Sequence, residues 1–120
     1  MTEEKARTLE MAKASALTYL SYGMRTEWQV RRHLSEKGYS EEAEESIRYL
    51  SELGYLDDLK YALLYLEYAV GKRHGMLRIR TELKRRGIGS EIFEEAWSVY
   101  RKNLEEDGES LDERERAAEE

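Results

Sequence analysis

The sequence predicts an all-α protein built from tandem three-helix repeats, and three observations carry that expectation. The chain has no proline among its 120 residues, is 38% charged, and is rich in Glu, Arg, Leu and Ala, which enter helices at little cost. Its apolar residues recur at three- and four-residue spacings between glycines that stop the pattern. The chain is also similar to itself: a shift of 49 residues lays Tyr19 on Tyr68, Val30 on Ile79, Arg31 on Arg80, Leu34 on Leu83, Gly38 on Gly87, Tyr39 on Ile88, Ala43 on Ile92 and Ile47 on Ala96. A period near 50 residues without a strand signal implies stacked helical units, each unable to bury its apolar face alone.

Six helices follow from the punctuation. The first is predicted from about Thr2 to Tyr22, with Leu9, Ala12, Ala16, Leu17 and Leu20 on its apolar stripe and Gly23 as its stop. Thr26-Glu27-Trp28-Gln29 has the spacing of a capping box, so Thr26 is expected to open the second helix, which Gly38 closes. Ser40 is expected to open the third, with Ala43, Ile47 and Leu50 inward and Gly54 as its end. Asp57 or Asp58 then caps the fourth, whose inner face carries Ala62, Tyr65 and Ala69 before Gly71 and Gly75. The fifth spans about Met76 to Arg86 with Met76, Ile79 and Leu83 on one face and Gly87 as its stop. The sixth starts near Ser90 and carries Ile92, Phe93, Ala96, Trp97 and Tyr100.

These elements predict a first repeat over residues 1–54, a second over 55–101, and an acidic tail over 102–120 that is disordered or forms a short helix opened by Ser110. Such an array is expected to be elongated, curved to the right or left, and suited to an extended partner.

Charge is distributed unevenly. The net charge is −6, yet residues 1–101 carry 17 basic and 17 acidic side chains, and the whole deficit comes from nine acids and three bases in residues 102–120. Against that neutral body, Arg73 to Ile88 hold six Lys or Arg residues and one acid, Glu82, with Lys72 just before them. On a helix, Arg78 and Arg85 project on one flank and Arg80 and Lys84 on another, a cluster able to meet phosphates or the carboxylates of an acidic protein groove. The competing reading is a solvated face in which Glu82 pairs with Arg78 and Arg86 at four-residue spacing.

Several chemistries find no support. Without cysteine there is no disulfide, thiolate metal site or thiol nucleophile. His33 and His74 are the only histidines and stand in no ligand motif. Gly87-Ile88-Gly89 lacks the Lys-Ser/Thr and the strand of a phosphate loop. The adjacent Asp57 and Asp58 read as a helix start, not an acid/base pair, and Tyr19, Tyr61, Tyr65 and Tyr68, with Trp28 and Trp97, as packing residues. No run approaches the ~18 apolar residues of a membrane span. We expect a cytoplasmic monomer with no cofactor, no metal and no membrane partner.

Three stretches resemble the RecX regulators of the bacterial recombinase RecA: Arg25 through Leu34 with its closing Gly38, Leu53-Gly54-Tyr55-Leu56-Asp57-Asp58 followed by Tyr61-Ala62, and Gly75 through Ile88. The resemblance covers about residues 15–100. It implies tandem three-helix repeats, no catalytic activity, and binding along the RecA filament groove, with single-stranded DNA inside that filament, to restrain RecA's ATPase, strand exchange and coprotease functions in DNA repair, homologous recombination and the SOS response. RecX proteins usually carry a third repeat, where this chain has its acidic tail, so it is expected to span fewer filament subunits. The expected contact set is Arg73, Arg78, Arg80, Lys84, Arg85 and Arg86. The alternative is a nucleic-acid-binding helical module that uses the same basic helix, 76–86, on phosphates.

Overall fold

The computed structural model describes residues 2–106, so the acidic tail beyond Glu106 and its Ser110 cap lie outside the described residues. Six α-helices and no strands are present among them: α1 (Glu3–Leu20), α2 (Glu27–Glu36), α3 (Ala43–Glu52), α4 (Asp58–Gly71), α5 (Met76–Arg85) and α6 (Ser90–Glu106). They form two compact units that divide between Asp57 and Asp58.

In the first unit, Ala12, Ala16, Val30, Leu34, Ala43, Ile47 and Leu50 make one core against which Tyr19, Leu20 and Tyr39 pack. Leu56 closes that core, which is why the unit runs past Gly54 to Asp57. The second unit is centred on Ala62, Leu66, Ala69, Val70, Ile79, Leu83, Ile88 and Phe93. Leu104 is buried there too and α6 continues to Glu106, so residues 102–106 belong to this unit and not to the tail.

Helix ends account for much of the local geometry. Thr26 Oγ1 accepts from the Gln29 N–H at 3.2 Å while Gln29 Oε1 accepts from the Thr26 N–H at 2.9 Å, a reciprocal cap that satisfies two otherwise orphaned donors. At the other end of α2 the Tyr39 N–H donates to the Leu34 carbonyl at 2.7 Å and Gly38 takes φ +88°. The end of α5 repeats this: Ile88 donates to Leu83 at 2.9 Å and Gly87 takes φ +86°. Both are left-handed closures in which the residue after glycine turns back onto the last turn.

The fourth helix uses the same closure without glycine. His74 donates to the Ala69 carbonyl at 2.9 Å and Arg73 to Val70 at 3.0 Å, which places Arg73 at φ +60°, the one non-glycine left-handed residue among those described. An L side chain there costs about 1 kcal/mol.

Four expectations need correction. Ser40 does not open α3: residues 40–42 form turns, and the helix begins at Ala43 after Glu42, which makes no side-chain cap. Leu17 faces outward, with Leu9, Ala12 and Ala16 buried beside it. Leu66 and Val70 are buried in α4 with Ala62 and Ala69, while Tyr65 is half-buried and Tyr68 exposed. Asp58 is the first residue of α4 and Asp57 immediately precedes it, where carboxylates meet the positive end of the helix.

The fourth correction concerns the repeat. The middle helices match at 49 residues, since Val30 and Leu34 stand on Ile79 and Leu83, all fully buried. Burial in the flanking helices matches at 50 instead. Ala12, Ala16 and Leu20 fall on Ala62, Leu66 and Val70, and Ala43, Ser46 and Leu50 fall on Phe93, Ala96 and Tyr100. The second unit is one residue shorter before its middle helix and one longer after it, so Tyr19 corresponds to Ala69 and not to Tyr68.

That register exposes a defect. Ser46 is fully buried and its Oγ finds no hydrogen-bond partner among the described residues, whereas Ala96 holds the same place in the second unit. Removing a buried hydroxyl with no partner relieves a desolvation cost of about 1 kcal/mol or more. We therefore expect Ser46→Ala to raise the unfolding free energy by that order, read as a higher urea midpoint with m unchanged, and Arg73→Gly to raise the midpoint as well by relieving its backbone strain.

Candidate partner-binding surface

Helix α5 presents the basic cluster because Ile79 and Leu83 lie fully buried on one face and fix its rotation. The six expected contact residues then part into three groups. Arg86 turns inward: its Nη1 donates to the Tyr61 hydroxyl at 3.0 Å and its guanidinium lies 4.4 Å from the Tyr65 ring centroid. It ties the end of α5 to α4. Burial raises the pKa of the Tyr65 phenol, with Arg86 pulling the other way, so this ring stays neutral through physiological pH.

Arg80 and Arg85 remain at the surface with partners. Arg80 Nη2 lies 2.8 Å from Glu94 Oε1 with its guanidinium 4.2 Å from the Phe93 ring centroid, and Arg85 Nη1 donates to Glu82 Oε1 at 2.9 Å. Glu82 thus pairs at three-residue spacing with Arg85. Arg73, Arg78 and Lys84 are exposed and make no ion pair among the described residues. Lys84 and Arg80 also border a shallow groove of about 260 Å³ with Ile88, Gly89, Ser90 and Phe93.

A second constellation lies in the first unit, where sequence reasoning placed only packing. His33 stacks on Tyr19 with centroids 4.3 Å and planes 2° apart, Ser15 Oγ and His33 Nε2 are hydrogen-bonded at 3.0 Å, and the Arg25 guanidinium lies 4.4 Å from the Tyr19 ring centroid. Arg25 Nε is buried without a hydrogen-bond partner among the described residues. The signal was present in the spacing of Ser15 and Tyr19, four residues apart on one helix face, but their partners arrive from elsewhere in the chain.

The units also share one surface ion pair. Arg31 donates to the Glu44 carboxylate from Nε and Nη2, as Arg80 meets Glu94 one repeat later. The Arg31 hydrogen bond holds the Glu44 carboxyl below its usual pKa; slight burial opposes this and the Arg31 charge adds to it. No group of three or more His, Asp or Glu among the described residues is placed to hold a metal ion. No helix there is long and apolar enough to cross a membrane.

Two three-helix units, the second with a cation-bearing middle helix, define a tandem helical-repeat protein. Residues 12–50 match the family model described as RecX, first three-helix domain, and residues 57–96 match RecX, second three-helix domain. The chain is 33% identical over 95 residues to Regulatory protein RecX of Clostridium acetobutylicum, an alignment covering 78% of this chain and 44% of that protein. It therefore spans less than half the length of this curated relative. Among solved structures, RecX from Lactobacillus salivarius superposes with a TM-score of 0.71 at 24% identity, covering 91% of this chain and 81% of that one. A second structure, regulatory protein RecX, gives 0.75 at 24% identity, covering 96% and 66%. The chain belongs to the RecX family.

Two outcomes follow from the geometry. Arg86→Ala should destabilise the second unit by about 1–2 kcal/mol, the combined size of a hydrogen bond and a cation–π contact, while Arg78→Glu should leave stability within about 0.5 kcal/mol in the same urea titration. For Glu44, whose folded pKa is lowered, the pair contributes above the unfolded pKa and is lost as pH falls through the folded one. Glu44→Gln should therefore cost a few tenths of a kcal/mol at neutral pH, with the two stability curves converging in acid.

Proposed function

We propose that this protein is a non-enzymatic regulator that binds a RecA nucleoprotein filament and restrains its ATPase, recombinase and coprotease activities. The observation that carries the reading is the outward cationic set of α5 and the turn before it. Arg73, Arg78 and Lys84 are exposed without an ion pair among the described residues, and Arg80 and Arg85 stand beside them in surface pairs that water already screens. Surface pairs of that kind cost little to open, so their guanidinium groups are available to carboxylates or phosphates of a partner. Arg86 leaves the set, because its guanidinium is engaged by Tyr61 and Tyr65. The family relation supports RecA as the partner, with bridging or capping of filament subunits as the mechanism.

The test is RecA's ATPase on single-stranded DNA with increasing amounts of the chain. We expect a dose-dependent fall, and a rightward shift of at least fivefold in the required dose for the double variant Arg78→Glu with Lys84→Glu, whose fold should be intact. Full RecA activity at stoichiometric amounts of the wild-type chain would sink the reading. If the basic helix instead acts on free nucleic acid, the wild-type chain binds DNA without RecA and log K falls steeply with log salt.

A further inference from the structure

Groove-lining residues differ between the two units at the places that correspond. In the first unit the space between α1 and α2 is open, with a volume of about 420 Å³, bordered by Ser15, Thr18, Tyr19, Tyr22, His33 and Lys37. In register with the second unit, Ser15 and Thr18 stand where Tyr65 and Tyr68 stand. Lys37 and Arg86 are likewise equivalent, each being the residue that follows the last turn of its middle helix. There the Tyr65 and Tyr68 rings lie 6.1 Å apart and the Arg86 guanidinium covers Tyr65 at 4.4 Å. A ring beneath a cation thus occupies in the second unit the positions that the first unit fills with two small hydroxyl residues and a lysine.

The lining of the open groove is held in place by contacts among its own residues. The His33 ring lies flat on Tyr19, and the Ser15 hydroxyl fixes the imidazole at Nε2. Arg25 packs on the Tyr19 ring, so three elements set the orientation of the stack before any ligand arrives. Tyr22, the most exposed tyrosine of the unit, stands at the rim, and with Tyr19 covered by His33 and Arg25 its ring is the one open to a planar guest. Lys37 is exposed at the groove, makes no ion pair among the described residues, and no acidic side chain borders the space. Hydroxyls, an imidazole and an ammonium suit a ring with polar edges and an anionic tail. A purely hydrocarbon ring would gain little from them.

We propose that this groove is a base-stacking site that takes one nucleobase of a single-stranded nucleic acid, with Lys37 facing the adjoining phosphate. Base–aromatic stacking is tolerant of sequence because every base has a π face, so the site would bind strands without strong base preference. It lies in the first unit and does not depend on the α5 surface.

The experiment measures fluorescence anisotropy of a short fluorescein-labelled oligothymidylate with the full chain at low salt, beside an abasic oligomer of equal length and charge. The wild-type chain should bind the oligothymidylate at least tenfold more tightly than the abasic strand. Ser15→Tyr, which installs the ring found in the second unit, should weaken binding at least fivefold with an unchanged circular dichroism spectrum. Thr18→Tyr, at an exposed position, fills the same groove from its rim and should act in the same direction if Ser15→Tyr disturbs folding. Equal binding of the two strands, or wild-type affinity in both filled variants, overturns the site. Loss confined to Arg78→Glu with Lys84→Glu assigns the strand to α5 and overturns it as well. So does a groove that binds an acidic tyrosine-containing peptide, lost in Ser15→Tyr, and no oligonucleotide. RecA ATPase inhibition measured on Ser15→Tyr separates this site from the filament reading, because that variant keeps every cation of α5.

Discussion

Each unit hangs on the place where its middle helix stops. The backbone N–H three residues beyond the helix end reaches back to the carbonyl of Leu34 in one unit and of Leu83 in the other, at 2.7 and 2.9 Å, and a left-handed glycine makes the reversal. Leu34 and Leu83 are also fully buried, so the residue whose carbonyl receives the closing bond is the residue whose side chain anchors the core. The residue that turns back, Tyr39 or Ile88, packs on that same core. Chain reversal and core formation are therefore one event, and the third helix can only start where this closure delivers it. Substituting at Gly38 meets no steric obstacle within 4 Å, so its requirement is conformational and not one of space.

A second layer covers this core with rings and cations. Arg25 lies on Tyr19, Arg80 on Phe93, Arg86 on Tyr65, Arg32 near Trp28 and Lys13 on Tyr49. Long basic side chains lay their methylenes along apolar surface and stack their charged ends on ring faces. This explains why a count of basic residues overstates a binding surface: of six cations between Arg73 and Ile88, Arg86 is engaged within the unit and Arg80 is divided between a ring and a carboxylate. What remains for a partner is the subset that α5 turns away from the core of its own unit.

The sequence made the all-α class, the six helices and the Thr26–Gln29 cap legible because each rests on local rules: 3.6-residue periodicity, glycine stops and side-chain oxygens that find orphan N–H groups. Ser40 misled because a good capping residue was taken for a helix start, while the chain spends residues 40–42 on turns before Ala43. Leu17 misled because a short apolar stripe drifts around a helix, and only the packing of α2 and α3 decides where it stops. The roles of Arg86 and His33 were out of reach for a different reason. Tyr61 lies 25 residues from Arg86 and Ser15 lies 18 from His33, and nothing in local spacing pairs them.

The compensated register explains where the two copies were free to diverge. One residue fewer before the middle helix and one more after it restore the alignment of the third helices, so every fully buried position keeps an apolar or small counterpart: Val30 and Ile79, Leu34 and Leu83, Ala12 and Ala62, Ser46 and Ala96. Overpacking or emptying such a core costs kcal/mol and constrains both copies alike. Positions 15, 18, 33 and 37 carry no such constraint, since each lies at or near the surface of the groove between the first two helices. There one copy holds two tyrosines, a glutamate and an arginine, and the other two hydroxyls, a histidine and a lysine. A difference concentrated where the fold imposes no demand is what divided labour between repeats requires, with Arg86 packed on Tyr65 in the second unit and an open groove left for a ligand in the first.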